Sequence, residues 1–186
     1  MRYPAVLLPF LLLAACERGE PAQRVELAPS RDVPVQVMRQ SPDTTGAVWR
    51  VAESGRAIEF AKAGDPPLLT LACLLGDTAP PQMLIVRHAP ALPRQSALFP
   101  VIGNGMRSRF FVDARLTDGE WRWEGVLAAS DPMWDVFTGP RELQATLPGG
   151  GMLKIPGSRV PGEFVTWCRA GGQAEPASEP PEAPLS

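Results

Sequence analysis

The chain has little of what metal, redox or nucleic-acid chemistry draws on. Of its 186 residues only one is His, one is Tyr and three are Cys. That supply is too small for most zinc, iron or copper sites, so neither a metal nor another cofactor is expected. Lys and Arg number 18 against 20 Asp and Glu, a formal charge of -2. Phosphate binding needs a basic field, which excludes nucleic acid as an expected partner. Lys occurs only at 62 and 154 against 16 Arg, so Arg107 and Arg109 beside Phe110 read first as a general bias toward Arg. No apolar run reaches the roughly 20 residues that cross a bilayer as a helix. The length fits one domain. What is plentiful is Pro (22) and Gly (17), the residues of turns and linkers.

Residues 1–15 read MRYPAVLLPFLLLAA, one positive charge (Arg2) ahead of an apolar stretch from Ala5 to Ala15. Pro4 and Pro9 argue against a core helix, and the order of positive end, short apolar core and small residues is that of a secretory signal. The stretch ends Leu13-Ala14-Ala15-Cys16. This resembles the lipobox of bacterial lipoprotein precursors at all four positions. The resemblance implies a diacylglyceryl group on the Cys16 thiol, cleavage before Cys16, and acylation, with palmitate for example, of the freed amine. Two or more acyl chains anchor a protein stably where one does so only marginally. Glu17, standing where Asp would favour retention, implies the outer membrane, with the protein facing the periplasm. Only Cys73 and Cys168 then remain to pair. An oxidising compartment favours their disulfide over two free thiols.

Composition divides the remainder. Residues 16–44 are expected to form a flexible tether, with Val33–Val37 as a possible edge strand that Pro34 confines to a border. Residues 170–186 are mostly Gly, Ala, Pro, Glu and Ser without Lys or Arg, a tail expected to bury too little to order itself. Every Trp lies between these segments, so 45–169 is the expected folded domain.

Inside it the apolar pattern has mostly period two. Asp118-Gly119 separates two alternating runs, the signal of a type I′ hairpin. Its register sets Leu116 opposite Trp121, Ala114 opposite Trp123, Val112 opposite Gly125 and Phe110 opposite Leu127, an apolar face backed by a charged one. Ala47–Val51 with Arg56–Ala61, and 142–147 with 152–155, form two further expected hairpins. Leu68–Leu75, apolar on both faces, reads as a strand covered on each side, with Met83–His88 its neighbour. Asp131 caps a short helix from Pro132 to the Gly139 stop. Ser158 caps a second, although Glu163–Cys168 fits a strand almost as well. The expected fold is mainly β: an antiparallel sandwich or barrel-like sheet with one or two short helices. Leu69-Thr70-Leu71-Ala72-Cys73, Ala129-Ser130-Asp131-Pro132, Leu153-Lys154-Ile155-Pro156 and Cys168-Arg169 together resemble small proteobacterial envelope lipoproteins. That resemblance covers most of 47–169, implies the same Cys73–Cys168 pairing and brings no active site with it.

Candidate chemistry is sparse. His88 is the one imidazole base, and Ser54, Ser96, Ser108, Ser130 and Ser158 are the hydroxyls it could meet, but no Gly-x-Ser-x-Gly elbow is present. Glu120 with Glu124, or Asp131 with Asp135, could serve glycoside hydrolysis. The charged hairpin face and the helix cap account for them more simply. Ile102-Gly103-Asn104-Gly105 and Gly149–Gly151 read as turns. Trp121, Trp123 and Trp134 could stack on a sugar, although the first two complete the apolar face of their hairpin. The expectation is a lipid-anchored, non-enzymatic domain that binds or scaffolds an envelope protein or glycan. The alternative is a periplasmic hydrolase of cell-wall glycan or ester bonds working through His88 or an acid pair.

Overall fold

Period-two alternation builds one antiparallel sheet. A computed structural model describes residues 40–173. Its strands are β1 Val48–Val51, β2 Ala57–Ala61, β3 Leu69–Leu74, β4 Gln82–Arg87, β5 Ser96–Gly103, β6 Met106–Thr117, β7 Glu120–Ala128, β8 Leu143–Leu147 and β9 Gly151–Ile155, followed by helix α1 Val160–Arg169. Their spatial order is β1-β2-β3-β4-β7-β6-β5-β8-β9. The sheet curls until it is nearly closed, so of the two expected architectures the barrel-like one forms. Between the edge strands, Ser41 Oγ accepts a hydrogen bond from the Met152 N–H at 3.0 Å. Ser41 lies in the segment expected to be tether. The expectations for residues 1–39 and 174–186, Cys16 among them, fall outside the described residues. Among the described residues no helix is long and apolar enough to cross a membrane.

The turns follow their chemistry. Asp118 and Gly119 both take positive φ (54° and 81°), as a type I′ turn requires. Asn104 and Gly105 (49° and 78°) repeat that turn between β5 and β6. Strand β5 was not among the expected strands, and Pro100 sits within it. Pro100 lies where the β5–β8 ladder ends, at Val101–Ala145, a position at which a missing N–H is tolerated.

Two expectations need correction. The β6–β7 ladder contains Leu116–Trp121 and Ala114–Trp123 but ends at Asp113–Glu124. Val112–Gly125 and Phe110–Leu127 are therefore not ladder pairs: below that point β6 continues beside β5 and β7 beside β4. Strand β3 is covered on one side only. Leu69, Leu71 and Cys73 are buried, whereas Thr70 and Ala72 are half-buried and Leu74 is exposed. A single curled sheet has no second layer on its outside.

Each mouth of the barrel is closed differently. At one, the 3-10 segment Pro132–Phe137 begins where Asp131 Oδ1 accepts from the Met133 N–H at 2.8 Å, the expected cap. It wedges between the separated strands. Ser108 Oγ of β6 donates to the Met133 carbonyl at 2.6 Å, and Trp134 Nε1 donates to the Ala128 carbonyl of β7 at 3.0 Å. The Trp134 ring then meets Phe110 at 4.9 Å inside the core. Residues Glu163–Cys168 are helical; α1 buries Phe164, Val165 and Cys168, and Cys168 is bonded to Cys73 of β3. At the other mouth the Arg87 side chain is 3% exposed. Its Nη1 donates to the carbonyls of Leu68 (3.0 Å) and His88 (2.8 Å), and its Nη2 to that of Gly150 in the β8–β9 turn (3.2 Å).

The disulfide closes a loop of 95 residues. Replacing Cys73 and Cys168 by Ser together should lower the unfolding free energy by up to about 4–5 kcal/mol in the chain-entropy model, read from the urea midpoint. A loss below about 1 kcal/mol would mean that the crosslink constrains little in the unfolded chain.

Candidate functional site

The residues singled out from sequence do not form one site. Trp134 is fully buried and Trp123 is 4% exposed, so neither offers a ring face to a ligand. Trp121 is half-buried near the β6–β7 turn. His88 follows β4 on the outer surface, half-buried, with Nε2 2.8 Å from Thr70 Oγ1. Desolvation, then Arg122 and Arg87, pull its pKa down to about 4, and Glu124 opposes them. It is thus neutral at neutral pH. Glu124 is occupied, accepting from Arg122 Nε at 2.7 Å and Thr117 Oγ1 at 3.0 Å.

Most of the other candidates are spoken for locally, whereas Ser130 is exposed. Ser96 donates to Asp113, Ser108 to Met133, and Ser54 and Ser158 accept backbone N–H groups. Asp131 is the cap, and Asp135 pairs with Arg169 at 2.8 Å. Glu120 is exposed at the hairpin turn. No hydrogen bond joins His88 to a serine or a carboxylate among the described residues, and no three His, Cys, Asp or Glu side chains converge there in a metal-binding group.

A different surface stands out. Where β6 and β7 part, a cleft of about 480 Å³ opens on the outside of the barrel. Its lining is half apolar, from Phe111, Val126, Leu127 and Met133 of the 3-10 wedge, and half polar, from Arg109, Arg115, Asp113 and Glu124. Gly125, which also lines the cleft, lies tight against the β6 backbone. A Cβ there would lie 2.5 Å from the Phe111 carbonyl oxygen and 3.1 Å from Val112 Cγ1. A glycine within an alternating strand is the sequence signal for such a close approach.

The cleft continues into an apolar strip. Phe111 pairs directly with Leu98, and Val126 with Leu84. Leu98, Phe111 and Val126 are 52%, 60% and 51% exposed, and Ile102 joins them at 47%. Scattered exposed apolar residues are ordinary, but neighbouring ones on adjacent strands mark an interaction surface. Arg107 and Arg109 point outward in the same row as Phe111 and enter no ion pair among the described residues. Arg115 faces Asp113 at 3.6 Å. It is Phe111, then, and not the buried Phe110, that accompanies these arginines.

No family model, curated protein or solved structure matches this chain.

The depressed His88 pKa has a definite linkage. The folded value of about 4 lies below the ordinary 6.5, so between them the unfolded chain binds more protons than the folded one. Stability is therefore full above pH 6.5 and falls as pH drops toward 4, by on the order of 2 kcal/mol. Urea unfolding at stepped pH should show this slope, and His88→Gln should remove it. An unchanged slope in the variant would place the titrating group elsewhere.

Proposed function

We propose that this chain is a lipid-anchored envelope protein, held at the outer membrane through Cys16 and facing the periplasm, whose barrel binds or scaffolds another envelope component without catalysing a reaction. The observation that carries the binding role is the Leu98–Phe111–Val126 strip with its cleft, on a face that antiparallel sheets otherwise leave polar and solvated. Support for the location comes from the Leu13-Ala14-Ala15-Cys16 pattern and from the Cys73–Cys168 bond, which suits an oxidising compartment.

Of the two partner classes, an envelope protein fits this face better than a glycan. The strip offers aliphatic side chains and one Phe, whereas sugar stacking favours broad exposed indoles. Arginines at the border complement carboxylates on the partner. The hydrolase alternative draws no support from His88, whose neighbours are Thr70, two arginines and a Glu124 already held by Arg122 and Thr117.

The test combines anchor and surface. Labelled palmitate should enter the full chain and not its Cys16→Ser form. A photo-crosslinker in place of Leu98 should give a discrete protein adduct in native envelopes, and one in place of the outward Thr146 should give none. Phe111→Asp should reduce the adduct at least about fivefold, as loss of an aromatic anchor does. Membrane retention of Cys16→Ser without lipid would overturn the anchor. Indifference of the adduct to Phe111→Asp would overturn the binding face.

A further inference from the structure

Two concave surfaces lie outside the barrel, and they differ in how their charges are committed. The larger, a groove of about 790 Å³, runs beside α1 next to the Gly171-Gly172 reversal, where both glycines take positive φ. Its cation, Arg159, faces Glu163 of the same lining at 3.5 Å. The smaller is the β6–β7 cleft, and one of its charges has no counterpart.

Four charged side chains line that cleft. Arg115 faces Asp113 at 3.6 Å, and Asp113 also accepts from Ser96 Oγ at 2.7 Å. Glu124 is held by Arg122 and Thr117. Arg109 is exposed and enters no ion pair or side-chain hydrogen bond among the described residues. The register explains why. Arg109 stands opposite Pro100, with Leu98 and Ile102 on the diagonals, and alternation puts Arg107 and Phe111 beside it on β6. None of these is a carboxylate. On its other side the ladder with β7 has already ended, at Asp113–Glu124. The two arginines are two residues apart, about 7 Å along the strand, so each raises the positive potential at the other.

The cleft therefore has unlike ends. Toward the hairpin turn its charges are balanced within the chain, Arg115 by Asp113 and Glu124 by Arg122. Toward Arg109 it is positive, and Phe111, Val126 and Met133 supply the apolar surface beside that charge. Charge complementarity calls for one anion carried next to an apolar group. A guanidinium holds a carboxylate through two parallel N–H bonds, which add direction to the attraction. The dense phosphates of an anionic bilayer fit less well, because they would set Asp113, Glu124 and the exposed Glu120 against like charge.

We propose that Arg109 selects what enters the cleft: a segment of a partner protein that sets an apolar side chain against Phe111, Val126 and Met133 and a carboxylate against the Arg109 guanidinium, with Arg107 as the second cation. This selectivity rests on the outer-face binding role above and adds to it the chemistry of the partner and the direction in which it lies.

Two measurements test it. In native envelopes, Arg109→Glu should lower the protein adduct of a photo-crosslinker at Leu98 about tenfold, as loss of a charged hydrogen bond does. Arg56→Glu, an equal change of charge at the exposed β1–β2 turn, should leave the adduct within about twofold. In the full chain held in dodecyl maltoside, 4-phenylbutyrate should shift the amide resonances of Arg109, Phe111 and Val126 and the Met133 methyl. The cationic 4-phenylbutylamine should not. Arg109→Gln should remove this preference while the circular dichroism spectrum stays unchanged. An adduct indifferent to Arg109→Glu, an adduct of phospholipid mass, equal responses to acid and amine, or shifts that gather elsewhere would each overturn the proposal. Absence of any Leu98 adduct would instead overturn the outer-face reading, and the acid–amine comparison would still decide whether the cleft prefers a carboxylate.

Discussion

A single buried guanidinium holds the open end of this barrel. Arg87 ends β4, yet it reaches the Gly150 carbonyl in the turn between β8 and β9, which lie on the far side of β7, β6 and β5 in strand order. Its other two bonds, to Leu68 and His88, secure the ends of β3 and β4. Burial lowers its pKa only to about 10, so the side chain remains charged at neutral pH and its bonds to carbonyls are charge-assisted. Loss of the cation would leave those carbonyls without their donor at the mouth, the costly side of hydrogen-bond energetics. The opposite mouth relies on covalent and apolar means, the Cys73–Cys168 bond and the Trp134–Phe110 contact.

Closure at both ends explains where function is left to reside. The interior is filled by side chains such as Phe60, Phe99, Phe110 and Trp134, all fully buried, so the barrel is a packed core. The exposed concave surfaces are outside it, each beside a local departure from regular structure. One is the parting of β6 from β7 around the 3-10 wedge. The other is the glycine reversal after α1. The same Arg87 that closes the mouth also helps to keep His88 neutral, so the lone imidazole belongs to the architecture of that end of the barrel.

Much of the fold was legible in the residues. Asp118-Gly119 and the alternation around it specified a hairpin and the register near its turn. Asp131-Pro132 marked the 3-10 segment, and the cysteine count left one pairing. The missed strand β5 had its turn in plain view at Asn104-Gly105, but its Pro100 is harmless only because the ladder with β8 stops short of it. The separation of β6 and β7 was hidden because local alternation carries no information about which neighbour a strand keeps. Nothing local marks the role of Arg87, since its partner Gly150 lies 63 positions away and only the closed sheet brings them together.

The closure account is tested most directly by amide hydrogen exchange on Arg87→Met, which keeps an unbranched side chain and removes the charge. If Arg87 holds the mouth, Met152 and Leu153 of β9 and the amides at the Leu68–His88 end should lose protection well before the β6–β7 hairpin does. Protection unchanged at β9, or lost evenly across the sheet, would contradict it.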